Sequence, residues 1–265
     1  MTENSPKPNN NQPKDINERT PPPQVAPRRI AIQMTKNKPI ATYVILAITV
    51  AIYFFQMGTQ YLFNVDIPAA YGMKVNEMIA RGQFWRLLTP IFLHGSILHI
   101  GFNMYALYLF GPSLERYYGK SRFIVLYFLS GFAGNVFSMM FSTSPSLGSS
   151  TAIFGLLGAQ GVFIHQNRDI LGERSSGALK SIISVAVINL LIGLSPGIDN
   201  WGHVGGLLGG TLFAWFAGPL LTLEGIYPQI KLGDRRDHGE IFRALIVVSA
   251  FFVILTIGTL FIWSK

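Results

Sequence analysis

The chain has 265 residues, of which 49% are hydrophobic and only 13% are charged, and its mean hydropathy is +0.36. Soluble proteins carry about 25% charged residues, so the composition excludes an ordinary soluble domain and favours a protein that crosses a membrane several times. The net charge is +8, but the basic residues are dispersed among apolar runs, which argues against a nucleic-acid-binding protein.

The chain begins with a segment, residues 1–38, that is rich in proline, asparagine and charge. Such a composition buries too little apolar surface to order itself, so we predict a disordered cytoplasmic tail. No short apolar stretch starts near Met1, which argues against a cleavable signal peptide. The chain contains no cysteine, which excludes disulfides and thiolate metal sites.

Seven apolar segments follow the tail. Because a helix needs about 20 residues to cross a hydrocarbon core, and the runs are too long and continuous for barrel strands, the sequence predicts an all-α polytopic membrane helix bundle with seven transmembrane helices. The segments are 39–57, 95–111, 122–142, 150–166, 179–195, 201–220 and 241–263. Residues 39–220 form a six-helix core in this prediction, 221–240 a cytoplasmic linker and 241–265 an additional C-terminal helix.

The distribution of lysine and arginine predicts the orientation of the bundle. With the N-terminus in the cytoplasm, 17 of the 21 basic residues fall on the inner side and 4 on the outer side. Cytoplasmic segments carry this excess of positive charge in membrane proteins. The C-terminus then lies outside, because the number of predicted spans is odd.

The outer link at 58–94 alternates apolar and polar residues. It is too polar to span the bilayer, so we predict an amphipathic structure in the membrane interface. Trp85 and Arg86 suit that depth, because an indole and a guanidinium both lie well among lipid headgroups.

Four polar residues open three of the predicted spans. His99 and Asn103 begin the second span, Ser150 begins the fourth and His203 begins the sixth. Because these three spans run in the same direction, their first turns lie at the same outer depth. Polar groups inside a membrane are costly and mark functional sites. We therefore expect the four side chains to form one site.

The residue types at this site are typical of acyl transfer. A serine hydroxyl becomes a good nucleophile when a neighbouring base takes its proton, and histidine titrates near neutral pH. Ser150 follows Gly148 at a predicted helix N-terminus, which favours developing negative charge. Gly206 and Gly210 form a small-residue stripe after His203, which permits close helix packing.

No acidic residue lies in the outer half of a predicted span, so a Ser150–His203 dyad is expected. His99, the Asn103 amide and the Ser150 backbone N–H are candidate donors to an oxyanion. Phe154, one turn after Ser150, is expected to pack against the ring of His203. A zinc site at His99 and His203 is disfavoured, because catalytic zinc usually has three protein ligands. No cofactor or metal is expected.

Several motifs in this order resemble the rhomboid intramembrane proteases over roughly residues 80–220. The motifs are Trp85-Arg86, His94, His99-Ile-Gly-Phe-Asn103, Gly111-Pro-Ser-Leu-Glu115-Arg-Tyr-Tyr-Gly119, Gly148-Ser-Ser150-Thr-Ala-Ile-Phe154-Gly155, and Gly202-His203 with Gly206 and Gly210. The resemblance implies that Ser150 is the nucleophile and His203 the base, and that His99 and Asn103 help to bind the oxyanion. It also implies that the fifth span and the loop near 195–200 gate substrate entry, and that a seventh span is a known variation.

One position departs from the family pattern. Thr151 stands where the family motif usually has glycine, and this bulkier residue is expected to narrow the site or to shift substrate preference. Ser149 is a rival nucleophile if the register slips. His94 is expected to support the first outer loop, and Glu115 to bind a helix end near the turns at Gly111 and Gly119.

The expected function is therefore proteolysis of transmembrane protein substrates in a lipid bilayer, most simply in a prokaryotic plasma membrane. The alternatives are an inactive rhomboid-like protein that binds membrane clients and a small-molecule transporter. The spans show no inverted repeat and no charge deep in the bundle, which disfavours a transporter. The oligomeric state and the substrates are not readable from the sequence.

Overall fold

The computed structural model describes residues 38–226 and 230–263, and most of the described residues are helical. Ten α-helices appear in chain order: α1 Ile40–Phe63, α2 Ile67–Gly72, α3 Asn76–Ala80, α4 Ile97–Tyr118, α5 Lys120–Phe141, α6 Ser150–Gln166, α7 Arg168–Leu171, α8 Arg174–Ile192, α9 Asn200–Ala217 and α10 His238–Trp263. Two short 3₁₀ helices, Phe84–Leu87 and Thr89–Phe92, lie between α3 and α4. Residues 1–37 of the predicted tail lie outside the described residues.

Within the described residues, four helices are long and apolar enough to cross a membrane, namely α1, α5, α8 and α10. Three further predicted spans correspond to α4, α6 and α9. Of these, α6 has 17 residues and α9 has 18, and α4 carries the polar residues of the site. The prediction of a helix bundle is therefore confirmed, and the count of seven crossings stays a prediction.

Two boundaries differ from the sequence prediction by six residues or more. Helix α1 continues to Phe63, so its last six residues belong to the part of the chain that was assigned to the outer link at 58–94. Helix α4 continues through Pro112 to Tyr118, because Leu114 and Tyr118 are buried on its inner face. It ends where Gly119 adopts a φ of +75°, a backbone conformation that glycine adopts at little cost.

The segment predicted as the linker 221–240 contains a small hairpin. Strand β1, Leu221–Glu224, pairs antiparallel with β2, Lys231–Asp234. Arg122 of α5 holds the hairpin to the bundle, because its guanidinium lies 2.8 Å from the carboxylate of Asp234 and donates to the Ala217 carbonyl at 3.1 Å.

The centre of the bundle consists of α5, α6 and α9, and α6 is buried along most of its length. The backbones of α6 and α9 touch directly. A Cβ at Gly206 would overlap the carbonyl of Thr151, and a Cβ at Gly210 would overlap the backbone of Gly155. Such close approach is typical of helix pairs inside membranes, where small residues bring backbones together. The contact aligns the first turns of α6 and α9.

Helix α10 packs against the other side of α9 and α5. Phe252 is completely buried and lies beside Gly209, where a Cβ would be 3.6 Å from its ring. Its ring centroid lies 6.2 Å from that of Phe137 on α5. The outer faces of α1, α8 and α10 remain apolar and exposed.

The buried carboxylate of Glu115 binds the first turn of α1. It accepts hydrogen bonds at 2.7 Å from the backbone N–H groups of Ala41 and Thr42 and from the Thr42 hydroxyl. The first N–H groups of a helix have no partner within the helix, and an acidic group there also complements the helix dipole. Glu115 therefore joins the end of α4 to the start of α1.

We expect Glu115→Ala to lower the free energy of unfolding by about 3 kcal/mol, because three hydrogen bonds to a charged acceptor are lost and two buried N–H groups lose their partner. Glu115→Gln keeps one acceptor oxygen and should lose about half as much. Thermal unfolding in detergent measures both, with the exposed Glu173→Ala as the matched control. Equal midpoints for Glu115→Ala and Glu173→Ala would contradict the assignment.

Candidate active site

Ser150 and His203 meet at one end of the bundle. Ser150 is the first residue of α6, and His203 lies in the first turn of α9. The Oγ atom of Ser150 and the Nε2 atom of His203 are 2.9 Å apart, which is within the range expected for a nucleophile and its base. The aligned first turns of α6 and α9 make this distance possible.

Phe154 holds the imidazole of His203 from one face. The two rings are stacked, with centroids 4.3 Å apart and an angle of 15° between their planes. Phe154 lies one turn after Ser150 on α6, so the same helix supplies the hydroxyl and the surface that orients its partner. His203 is 8% exposed, and its ring therefore has little freedom to rotate.

Ser149 has a different environment from Ser150. It is completely buried, and its hydroxyl lies 3.2 Å from the Nε2 atom of His94. Burial, with a smaller contribution from His99, lowers the pKa of His94 to about 3, so this ring is neutral at pH 7. Ser150 alone of the two serines borders the cavity of the site.

The second side of the site is formed by α4 and by the loop before α6. Gly148 has a φ of +132°, and a Cβ there would lie 2.7 Å from the Nε2 atom of His99. His99 and Asn103 are one turn apart on α4, and both border the same cavity as Ser150. The structure therefore brings all four predicted polar residues to one place, with Gly148 between His99 and the start of α6.

A cavity of about 1040 Å³ surrounds the Ser150 hydroxyl. Its walls come from α4, α6, α8 and α9 and are largely apolar, with Phe102 and Leu109 on α4 and Val185 and Ile192 on α8. The volume is sufficient for several side chains of an extended peptide, because small-molecule pockets of about 300–1,000 Å³ already hold a drug-sized ligand.

The outer link folds around Arg86. This residue is 4% exposed, and its guanidinium donates at 2.8 Å to the carbonyls of Met73 and Ala70. The donors of Arg86 thus bind carbonyls of the outer link itself, and the depth of Trp85 and Arg86 in the membrane stays a prediction. Trp85 is 49% exposed, and its indole N–H donates to the Tyr71 carbonyl at 3.0 Å.

Lys74 is a supporting residue that the sequence analysis missed. It is completely buried, and its ammonium donates to the carbonyls of Ser142 and Ser144 at 2.9 and 2.8 Å. Its backbone also pairs with that of Ser146 in both directions. Lys74 thus anchors the loop that leads to Gly148. The signal in the sequence was its place on the predicted outer side, where basic residues are few.

Asp199 is a second missed residue. It caps α9 by accepting a hydrogen bond from the Gly202 N–H at 3.0 Å, and it also accepts one from the Ser138 hydroxyl. An aspartate directly before an apolar helix is a typical N-cap, which was the signal in the sequence. The carboxylate makes no hydrogen bond to His203 among the described residues.

The side chain of Thr151 packs into the seam between α5 and α9. A Cβ at Gly134 would lie 2.5 Å from the Cβ of Thr151, and a Cβ at Gly202 would lie 3.0 Å from its methyl group. Two glycines thus make room for the residue that departs from the family motif. Thr151 also borders the cavity, so the expectation that it narrows the site or shifts substrate preference stays a prediction.

Over residues 38–226 and 230–263, no group of three or more His, Cys, Asp or Glu side chains is arranged to hold a metal ion.

The site and the fold together define a polytopic membrane helix bundle with a serine–histidine pair at one end. Residues 81–220 match the model of the Rhomboid domain, and the chain belongs to the rhomboid family. It is 42% identical over 175 residues to the rhomboid protease GluP of Bacillus subtilis, which covers 66% of this chain and 34% of GluP.

Two further relatives are similar to the chain, and the name of the second states that it is inactive. The rhomboid YdcA of Bacillus subtilis is 32% identical over 182 residues, or 67% of this chain and 87% of YdcA. The inactive RHOMBOID-like protein 8 of Arabidopsis thaliana is 34% identical over 138 residues, or 52% of this chain and 39% of that protein. The chain spans about a third of the length of GluP. The family includes relatives that are named as proteases and one that is named as inactive.

The buried ammonium of Lys74 predicts a pH dependence of stability. Burial lowers its pKa from 10.5 to about 8, although nearby Asp199 opposes the shift. Between these two values the unfolded chain binds the proton and the folded chain does not, so the free energy of unfolding rises with pH. We expect wild type to gain stability relative to Lys74→Met between about pH 8 and pH 10.5. Parallel pH profiles of the two unfolding midpoints would refute this.

The packing of Thr151 predicts a coupling with Gly202. We expect Gly202→Ala to destabilise the protein, because the new methyl group meets the Thr151 methyl, and Thr151→Ala to recover part of the loss. The expected coupling energy is about 1 kcal/mol, measured by unfolding of the two single variants and the double variant. Gly58→Ala, where a Cβ meets nothing within 4 Å, is the control. Additive effects would show that the two residues do not share this contact.

Proposed function

We propose that this chain is an active intramembrane serine endopeptidase that cleaves transmembrane protein substrates through a Ser150–His203 dyad. The observation that carries the proposal is the 2.9 Å contact between Ser150 Oγ and His203 Nε2, beside a cavity large enough for a peptide. Membership of the rhomboid family and the similarity to the rhomboid protease GluP support the same class of reaction.

The proposed reaction proceeds through an acyl-enzyme. Nε2 of His203 takes the hydroxyl proton while Oγ of Ser150 attacks the scissile carbonyl carbon, and the carbonyl oxygen becomes an oxyanion. The imidazolium then gives the proton to the leaving amine as the C–N bond breaks. A water molecule, deprotonated by the same nitrogen, then attacks the ester carbon. The imidazolium returns this proton to Oγ of Ser150 as the C–O ester bond breaks, which releases the second product as a carboxylic acid.

Three donors are proposed to bind the oxyanion. The N–H of Ser150 lies in the first turn of α6, where backbone N–H groups have no helical partner. The ring of His99 and the amide of Asn103 approach from α4, on the same side of the cavity as Gly148. Donors that are held in place before the reaction stabilise the transition state without reorganisation.

The site is suited to a substrate that arrives from the lipid. The cavity lies between α4 and α8, and among the residues of α8 only Ala186 is buried. An apolar peptide entering beside α8 would exchange lipid contacts for apolar walls. We extend the proposal to a cytoplasmic N-terminus, a catalytic core at 39–220, α10 as an additional seventh span, and a prokaryotic plasma membrane as the location, since two of the similar proteins are bacterial.

An inactive, client-binding protein is the second candidate, because the family includes the inactive RHOMBOID-like protein 8. The hydrogen-bonded pair of Ser150 and His203 favours the protease. A pure binding protein needs neither residue, and a polar pair inside a membrane is costly to keep.

A fluorophosphonate probe tests the proposal in the detergent-solubilised full chain. We expect wild type to be labelled at Ser150, and both Ser150→Ala and His203→Ala to lose labelling by a factor of at least about 10³, because the nucleophile or its base is missing. Mass spectrometry of the labelled peptide identifies the modified serine.

Ser149→Ala is the matched control, since it removes the neighbouring hydroxyl and leaves the dyad in place. It should still be labelled. Labelling that persists in Ser150→Ala and disappears in Ser149→Ala would transfer the nucleophile to Ser149. A folded wild type that neither reacts with the probe nor cleaves a model transmembrane substrate would favour the inactive candidate.

A further inference from the structure

The second ring nitrogen of His203 faces a polar group that the proposed dyad does not use. The Nδ1 atom of His203 and the Oδ1 atom of Asn200 are both buried, and neither has a hydrogen-bond partner in the described part of the chain. Buried polar atoms without a partner are rare and call for an explanation. Of the nine such side-chain atoms in the described residues, these two occur three residues apart on the first turn of α9.

Gly193, at the C-terminal end of α8, brings the two atoms to one point. A Cβ on this glycine would overlap Oδ1 of Asn200 and would lie 3.2 Å from Nδ1 of His203. Both orphan atoms therefore border the same small space beside the Gly193 backbone. A spacing of three residues also places the two side chains on the same face of α9.

The protonation of the ring makes the two atoms complementary. When Nε2 accepts the hydrogen of the Ser150 hydroxyl, the proton of the neutral imidazole must be on Nδ1, which is then a donor. The Oδ1 atom of an asparagine is an acceptor only. The carboxylate of Asp199 accepts from Gly202 and Ser138 and makes no hydrogen bond to the His203 ring in the described part of the chain.

We infer that Asn200 is a positioning residue for the reaction: its Oδ1 atom accepts the Nδ1–H of His203, directly or through one water molecule in the space beside Gly193. The contact fixes the tautomer that leaves Nε2 free to take the Ser150 proton. It also stabilises the imidazolium that forms when the proton is transferred. The role assigned to Asn200 rests on the proposed function of the dyad.

Labelling rates with the fluorophosphonate probe, measured against pH, test the assignment. In Asn200→Ala we expect the plateau rate to fall about tenfold, and the acidic limb to move to lower pH, because the imidazolium loses an acceptor. In Asn200→Asp we expect this limb to move to higher pH by about one unit, because a carboxylate beside Nδ1 favours the charged ring. Asn64→Gly, at the exposed end of α1, is the control and should keep the wild-type profile.

The titratable groups that act on His203 are Asp199 on its own helix and His99 on α4, and both are unchanged in these variants. Acidic limbs that stay within about 0.2 pH units of wild type in both Asn200 variants would overturn the inference, even if the plateau rate falls, because removing or charging an acceptor of the Nδ1–H must change how readily the ring takes a proton.

A second readout is independent of protease activity. The chain has five histidines, and ¹⁵N spectra of histidine-labelled protein follow each ring, with His203 assigned by its loss in His203→Gln. We expect His203 to carry its proton on Nδ1 and to titrate at higher pH in Asn200→Asp. A neutral His203 ring with its proton on Nε2, or a His203 titration that is unchanged in Asn200→Asp, would contradict the role of Asn200. If instead Ser150→Ala is still labelled while these spectra behave as expected, the proposed reaction fails and the contact stands.

Discussion

The direct backbone contact between α6 and α9 is the constraint on which the site depends. Inside a bilayer, apolar side chains gain little from leaving lipid for one another, so helices associate through close packing. Gly206 and Gly210 leave no side chain between the two helices, and the carbonyls of Thr151 and Gly155 occupy the space. With this contact in place, the first turns of both helices are level, and a short serine side chain reaches an imidazole.

The polar end of the bundle is organised by groups that each satisfy backbone atoms of another segment. Arg86 binds carbonyls of the outer link, Lys74 binds those of the loop before α6, and Asp199 caps α9. Buried polar groups are costly when unpaired and stabilising when paired. The buried atoms of His203 and Asn200 that lack a partner among the described residues differ in that both border the Gly193 backbone beside the Ser–His pair.

The two helices that carry the Ser–His pair are buried more deeply than α8, which forms a wall of the cavity. The pair α6 and α9 is buried and braced by α5 and α10, while α8 contributes one buried residue to the core and forms a wall of the cavity. The elements that carry the Ser–His pair are thus held by packing on several sides. Helix α8 has a single buried residue, which suits the proposed entry of a substrate beside it.

Much of this arrangement was readable from the sequence, because its physical causes are local. The length of the apolar runs predicted a membrane helix bundle, and the alternation of direction placed Ser150, His203, His99 and Asn103 at one depth. The boundaries were less accurate. The last six residues of α1 were read as loop. The contacts of Arg86 were not predicted, because the carbonyls that it binds come from residues 13 and 16 positions earlier.

The sequence by itself determined the class of fold and the four polar residues that share one end of the bundle, since hydrophobic length and helical period depend only on neighbouring residues. The direction of the Thr151 side chain, the anchoring by Lys74, and the approach of Gly193 to Asn200 and His203 were decided by tertiary structure. Each of these depends on a contact between segments far apart in the chain, and only the packed helices set such distances.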